Sequence, residues 1–168
     1  TPARTGWAYT FLTGGHFQQN TDVNGDAWAD LPGYSRGVVR PRVFWDNGSG
    51  RTFFATVGFT AEHRNGGTMP GSVIPQSGRA YVEALDTRRA DVGVVGQVLL
   101  RQRYLVGVRS ALMTQHHRHL FGENRERDRH ETQFGEFTVR APFGRHTVVG
   151  GAALQRDVYR PLDLPQFA

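Results

Sequence analysis

The segment SRGVVRPRVFWD (residues 35–46), NGSG (47–50), RTFFATVGFTAEHR (51–64) decides how the chain is read. In its second half Phe53, Ala55, Val57, Phe59 and Ala61 share one parity. Thr52, Thr56, Gly58, Thr60, Glu62 and Arg64 share the other, with Phe54 the exception. The first half repeats the pattern, with Val39, Val43 and Trp45 on one side and Arg36, Arg40, Arg42 and Asp46 on the other. A period of two held over more than about ten residues is a β-strand pattern. Asn47-Gly48-Ser49-Gly50 supplies the turn that joins two strands into a hairpin. Strands of this length exceed the usual soluble range and suit a bilayer-crossing sheet.

Working outward, alternation recurs from Gly6 to Gln19, with Trp7, Tyr9, Phe11, Gly15 and Phe17 on one face. It recurs again over Thr87–Leu100, Tyr104–His117, Glu131–Arg140 and His146–Arg156. No stretch carries a helical period. The sequence predicts an all-β, antiparallel up-and-down sheet of about seven strands over residues 1–168, an incomplete transmembrane β-barrel segment. Its connections read as alternating. Long loops are expected at Asn20–Tyr34, Gly66–Leu85, Arg118–His130 and from Tyr159 onward, with tight turns at Asn47–Gly50, Arg101–Arg103 and Ala141–Arg145. Short turns at one end and long loops at the other are the asymmetry of outer-membrane barrels.

Composition narrows the class. With no Cys there is no disulfide framework and no thiolate metal site. The apolar fraction of 38% holds no run long enough for a membrane helix, a test that barrels evade because half of each strand faces a polar interior. All 20 basic residues are Arg, and they are dispersed, so the net charge of +5 does not by itself make nucleic acid the expected partner. The absence of an initiator Met and the ending at Ala168 fit a piece of a longer chain.

Periodicity alone leaves two ways to solvate the faces. In a soluble sandwich the apolar face packs inward; in a membrane barrel it meets lipid and the polar face lines the lumen. Strand length, loop asymmetry and the aromatics Trp7, Trp45 and Tyr104 near the short-turn ends favour lipid, since Trp and Tyr collect at membrane interfaces.

Particular motifs add a resemblance. DVNGDAWADLPGYSR (22–36), VRPRVFW (39–45), GFTAEHRNGGTMPG (58–71), DTRR (86–89) and GGAALQRD (150–157) are similar to the early barrel of TonB-dependent outer-membrane receptors. The resemblance implies part of a barrel of about 22 strands with a plugged lumen. It implies a bacterial outer-membrane location and import of a scarce nutrient such as an iron chelate, cobalamin or a glycan. It also implies a plug domain, the remaining barrel strands and an inner-membrane TonB complex as partners. The chain carries no segment resembling the plug. An enzyme is not expected, because no nucleophile elbow, acid/base carboxylate couple or phosphate loop is present.

Three groups of residues are candidates for binding. Arg40, Arg42, Arg89, Asp91, Arg109, Glu136 and Arg140 fall on the polar parity, where they would pair across strands, contact a plug or guide an anionic ligand. His116, His117 and His119, with Glu123, Glu126, Asp128 and His130, lie at or in a stretch read as an outer loop and could meet a metal or a metal chelate, although a solvated loop is the simpler reading. Asp22, Asn24, Asp26 and Asp30 have the alternate oxygen spacing of a calcium loop, with Ala27 in place of the turn glycine and Gly33 where a bidentate Glu would stand. Calcium is thus the one cofactor raised. The alternative function is a soluble all-β ligand-binding module whose loop holds that ion.

Overall fold

The computed structural model describes residues 6–74 and 77–163. Both chain ends discussed above lie outside the described residues. Among the described residues seven strands form one sheet: β1 (Gly6–Gln18), β2 (Gly33–Asp46), β3 (Arg51–Gly67), β4 (Val82–Leu100), β5 (Tyr104–Phe121), β6 (Asn124–Phe143) and β7 (His146–Pro161). Each pairs antiparallel with the next in chain order, so the sheet is an up-and-down meander that does not close. The register carries one parity across every strand. Trp7 faces Trp45, which faces Phe53; Val57 faces Val92, which faces Leu112. The alternation read in each strand therefore adds into two continuous faces.

The distribution of exposure is the reverse of a globular protein's. Among the described residues no hydrophobic side chain is buried, and the buried polar or charged ones are Thr60, Thr87 and Asp128, all on the polar face. On the apolar face Trp7, Phe59, Val108, Leu112, Phe137 and Leu154 are exposed. The chain exposes 12239 Å², against about 8,300 Å² expected for a compact monomer of 18.8 kDa. The excess is what a single layer exposes when nothing covers it. Phe54, the one aromatic of β3 on the polar face, packs against Phe44 of β2 with ring centroids 5.0 Å apart.

Several boundaries differ from the sequence reading, and one difference is large. Arg118–His130 is not a loop. β5 runs on to Phe121, a two-residue turn at Gly122-Glu123 follows, and β6 starts at Asn124. The stretch is too charged to look like a strand by hydropathy, but its charges alternate: Arg125, Arg127 and Arg129 against Glu126, Asp128 and His130. Gly122 takes φ 62, the glycine-first geometry of a tight II′ hairpin turn. Likewise the turn read at Ala141–Arg145 shrinks to Gly144-Arg145, because β6 continues to Phe143. β4 begins at Val82 rather than near Thr87, and β7 extends to Pro161, past the tail expected from Tyr159.

The strict alternation of long and short connections is corrected accordingly. One end carries tight turns at residues 47–50, 101–103 and 144–145. The other carries two long loops, residues 19–32 and 68–81, and the prolonged β5–β6 hairpin. These long connections dock on one another. Met69 N–H donates to the Ala27 carbonyl at 2.8 Å, Ala29 N–H donates to the Gly67 carbonyl at 2.9 Å, and Trp28 meets Tyr81 at 5.8 Å between ring centroids. Gly122 N–H donates to the Val82 carbonyl, tying the hairpin tip to the start of β4.

Candidate functional site

The polar face is built around ion pairs that cross strands. Arg40 on β2 reaches over Gly58 on β3 to Asp91 on β4, donating from Nη1 and Nη2 to the two carboxylate oxygens at 2.7 and 2.9 Å. Gly58 lies directly opposite Asp91 in the register. A Cβ at position 58 would fall among the guanidinium atoms and 2.7 Å from Asp91 Oδ2, so any larger residue there forces the ends of these two side chains to shift. Arg89 Nε approaches the same carboxylate at 3.4 Å, and Arg109 Nη1 approaches Glu136 at 3.5 Å. Of the sequence candidates, Arg40, Arg89 and Asp91 thus form one cluster and Arg109 and Glu136 a second. Arg42 and Arg140 lie on the same face but join neither cluster.

Toward the long-loop end a row of side chains runs in register across six strands. His16, Arg36, Glu62, Thr87, His117 and Asp128 are successive partners from β1 to β6. They lie along a concavity of about 920 Å³. Glu62 is the most heavily engaged acid of the row, accepting from Tyr34 Oη at 3.1 Å and Arg64 Nε at 2.6 Å. His117 Nδ1 meets Thr87 Oγ1 at 3.0 Å, and its Nε2 meets Gln115 Nε2 at 2.7 Å. His119 Nε2 lies 3.1 Å from Asp128 Oδ2, while Asp128 Oδ1 is buried with no hydrogen-bond partner among the described residues. That oxygen is sealed from solvent, so a donor would reach it only after a side-chain movement.

Of this row the sequence singles out His117 and Asp128 as candidates, but not their place in it. His16, Arg36, Glu62, Thr87 and Asp128 sit on different strands and converge through register, which no local motif encodes. His117 and His119 share the polar face, with ring centroids 5.6 Å apart, because the strand continues through them; His116 points to the opposite face. Among the described residues no three His, Cys, Asp or Glu side chains are grouped to hold a metal ion.

The Asp22–Asp30 loop closes on its own backbone. Asp22 accepts from Gly25 N–H at 2.7 Å and Ala27 N–H at 2.8 Å, Asn24 from Asp26 N–H at 3.0 Å, Asp26 from Trp28 N–H at 2.9 Å, and Asp30 from Val23 N–H at 2.7 Å. Gly25 and Ala27 both take positive φ, 79 and 72, so the tight bend is made at two positions and one of them is not glycine. These are the interactions of an Asx-rich loop. In comparisons with known proteins, no family model, no curated protein and no solved structure matches the chain.

Proposed function

We propose that this sheet is part of the wall of a transmembrane β-barrel in the bacterial outer membrane, of the TonB-dependent receptor class. It would import a scarce nutrient of the iron-chelate, cobalamin or glycan type and would not act as an enzyme. The observation that carries this reading is the inverted solvation of the two faces. Large apolar side chains stand exposed on one face, while Thr60, Thr87, Asp128 and the Arg40–Asp91 pair are shielded on the other. In lipid that arrangement is favourable, because the apolar face is solvated by acyl chains and backbone polar groups are satisfied between strands. From Phe53 to Ala61 on β3 and from Leu100 to Ala90 on β4, the apolar band measures about 26 to 33 Å along the strands. At a tilt near 40° that is about 20–25 Å of height, close to the lipid-facing band of such barrels. The Trp7–Trp45 pair, 6.1 Å between ring centroids, stands where an interfacial girdle is expected.

In this reading the row from His16 to Asp128 and the concavity beneath it face the ligand from the lumen. The Arg40–Asp91 and Arg109–Glu136 pairs stiffen the wall or meet the plug. The outer edges of β1 and β7 would be covered by further strands, since an open edge is costly in lipid. The soluble alternative needs a second layer over the apolar face. Detergent dependence tests the choice: the sheet is expected to stay folded and monodisperse only in micelles. A water-soluble monomer that unfolds cooperatively without detergent would overturn the membrane reading.

A further inference from the structure

We propose that the apolar face, just beyond the apolar band on β4 to β7, is a docking surface for the phosphate groups of membrane-lipid headgroups. The proposal rests on the membrane reading above, which makes this face the outer one. At that level the face changes from hydrocarbon to Arg. Arg88, His116, Arg129 and Arg160 form one register row across four strands, and Arg118 pairs with Arg127 in the next row. Arg125 and Arg156 have the same parity.

Two pairs of like charges therefore sit directly opposite each other, Arg118 with Arg127 and Arg129 with Arg160. Such cross-strand pairs destabilise a sheet unless an anion neutralises them. The protein supplies little neutralisation. Arg127 is taken by Asp163, Arg129 by Glu131, and Asp86 by His63. Among the described residues Arg88, Arg118, Arg125, Arg156 and Arg160 have no ion-pair partner on the protein, and all five are exposed.

The opposite face at the same level has the reverse balance. Glu62, Glu83, Glu126, Asp128 and Asp157 outnumber Arg36, Arg64 and Arg89 there. Strand alternation in RERDRH (125–130) produces this sorting directly, sending three Arg outward and Glu126, Asp128 and His130 inward. The Arg fork binds phosphate oxygens bidentately, and its methylene stem can lie along the apolar band while the guanidinium reaches headgroup level. The four-strand row spans about 14 Å, enough for a headgroup bearing more than one phosphate.

The test places the chain in zwitterionic detergent micelles, with and without a lipid bearing a phosphomonoester headgroup, and follows ³¹P line broadening and hydrogen exchange of residues 125–130. The phosphate lipid is expected to broaden and to protect these amides, and R118Q/R129Q/R160Q is expected to weaken its binding roughly 100-fold. R101Q/R103Q/R145Q removes the same charge at the short-turn end and is expected to change nothing. Normal micelle association with no preference for the phosphate lipid, or equal loss in both triple variants, overturns the docking surface alone. Failure to associate with micelles overturns the membrane reading and the docking surface together. Equal protection by inorganic phosphate would make the site one for a free anion, and equal binding of duplex DNA would make it a nucleic-acid surface; either result overturns the proposal.

Discussion

Replacing Gly58 with Ala tests whether the Arg40–Asp91 pair organises the polar face. Gly58 has no positive φ, so an Ala there carries no backbone penalty, and its cost is steric. The added methyl would occupy the space through which Arg40 reaches Asp91. Losing a bidentate charge-assisted contact costs about 1.5–3 kcal/mol, and the low end applies because a quarter of the Arg40 side chain is exposed. Replacing strand Gly by Ala returns roughly 0.5–1 kcal/mol of backbone entropy. G58A is therefore expected to destabilise the sheet by about 1 kcal/mol. In an R40A background only the Asp91 carboxylate, at the end of a flexible side chain, remains to shift, and the same substitution should stabilise by at most roughly 0.5–1 kcal/mol. The assay is reversible urea unfolding in detergent of the four members of the cycle. A coupling of about 1.5 kcal/mol, the low-end value of the lost contact, is expected. If G58A has the same effect with and without Arg40, the guanidinium does not pass over Gly58 and the reasoning is refuted.

Other outcomes follow from the same geometry. G151A should weaken β6–β7 pairing by more than about 2 kcal/mol, because its Cβ would meet the Phe137 carbonyl and lie 3.1 Å from Thr138 Cα. G150A has open space and should change stability by less than about 1 kcal/mol, so equal effects would contradict the register. Hydrogen bonds from Arg127 hold the Asp163 carboxylate below its ordinary range. Its contribution is therefore present above the unfolded carboxylate value and is lost as pH falls through the folded one. D163N should accordingly loosen the end of β7 at pH 7 and have a progressively smaller effect as the pH is lowered below the ordinary carboxylate range, read as protease susceptibility. A loosening that grows on acidification would have the wrong sign. H117A, which opens the Thr87–His117–Gln115 chain, should raise hydrogen exchange at the concavity without unfolding the sheet; unchanged protection would remove His117 from that network.

Strand number, connectivity and face assignment were legible because the period of two survives wherever apolar and polar residues alternate, as in Phe53–Ala61. The same signal does not mark Arg118–His130 as strand, because both parities there are polar and hydropathy is silent. There the alternation is one of charge sign, visible in Arg125 to His130 once charges rather than hydropathy are followed. The ion pairs of the polar face are legible as a set of residues on one parity but not as pairs. Arg40 bonds Asp91, 51 positions away, because two registers and a glycine bring them together. The row from His16 to Asp128 depends on five registers and has no local signature.

On the proposed membrane reading, the odd-numbered side chains of β3 face lipid. The chain has no native Cys, so spin labels can be placed singly at each position from Phe53 to Glu62. In bilayers, collision with oxygen should peak at Phe53, Ala55, Val57, Phe59 and Ala61, and collision with a water-soluble nickel chelate at the positions between them. Odd positions shielded from both reagents would mean that a second protein layer covers this face, and the account would be contradicted.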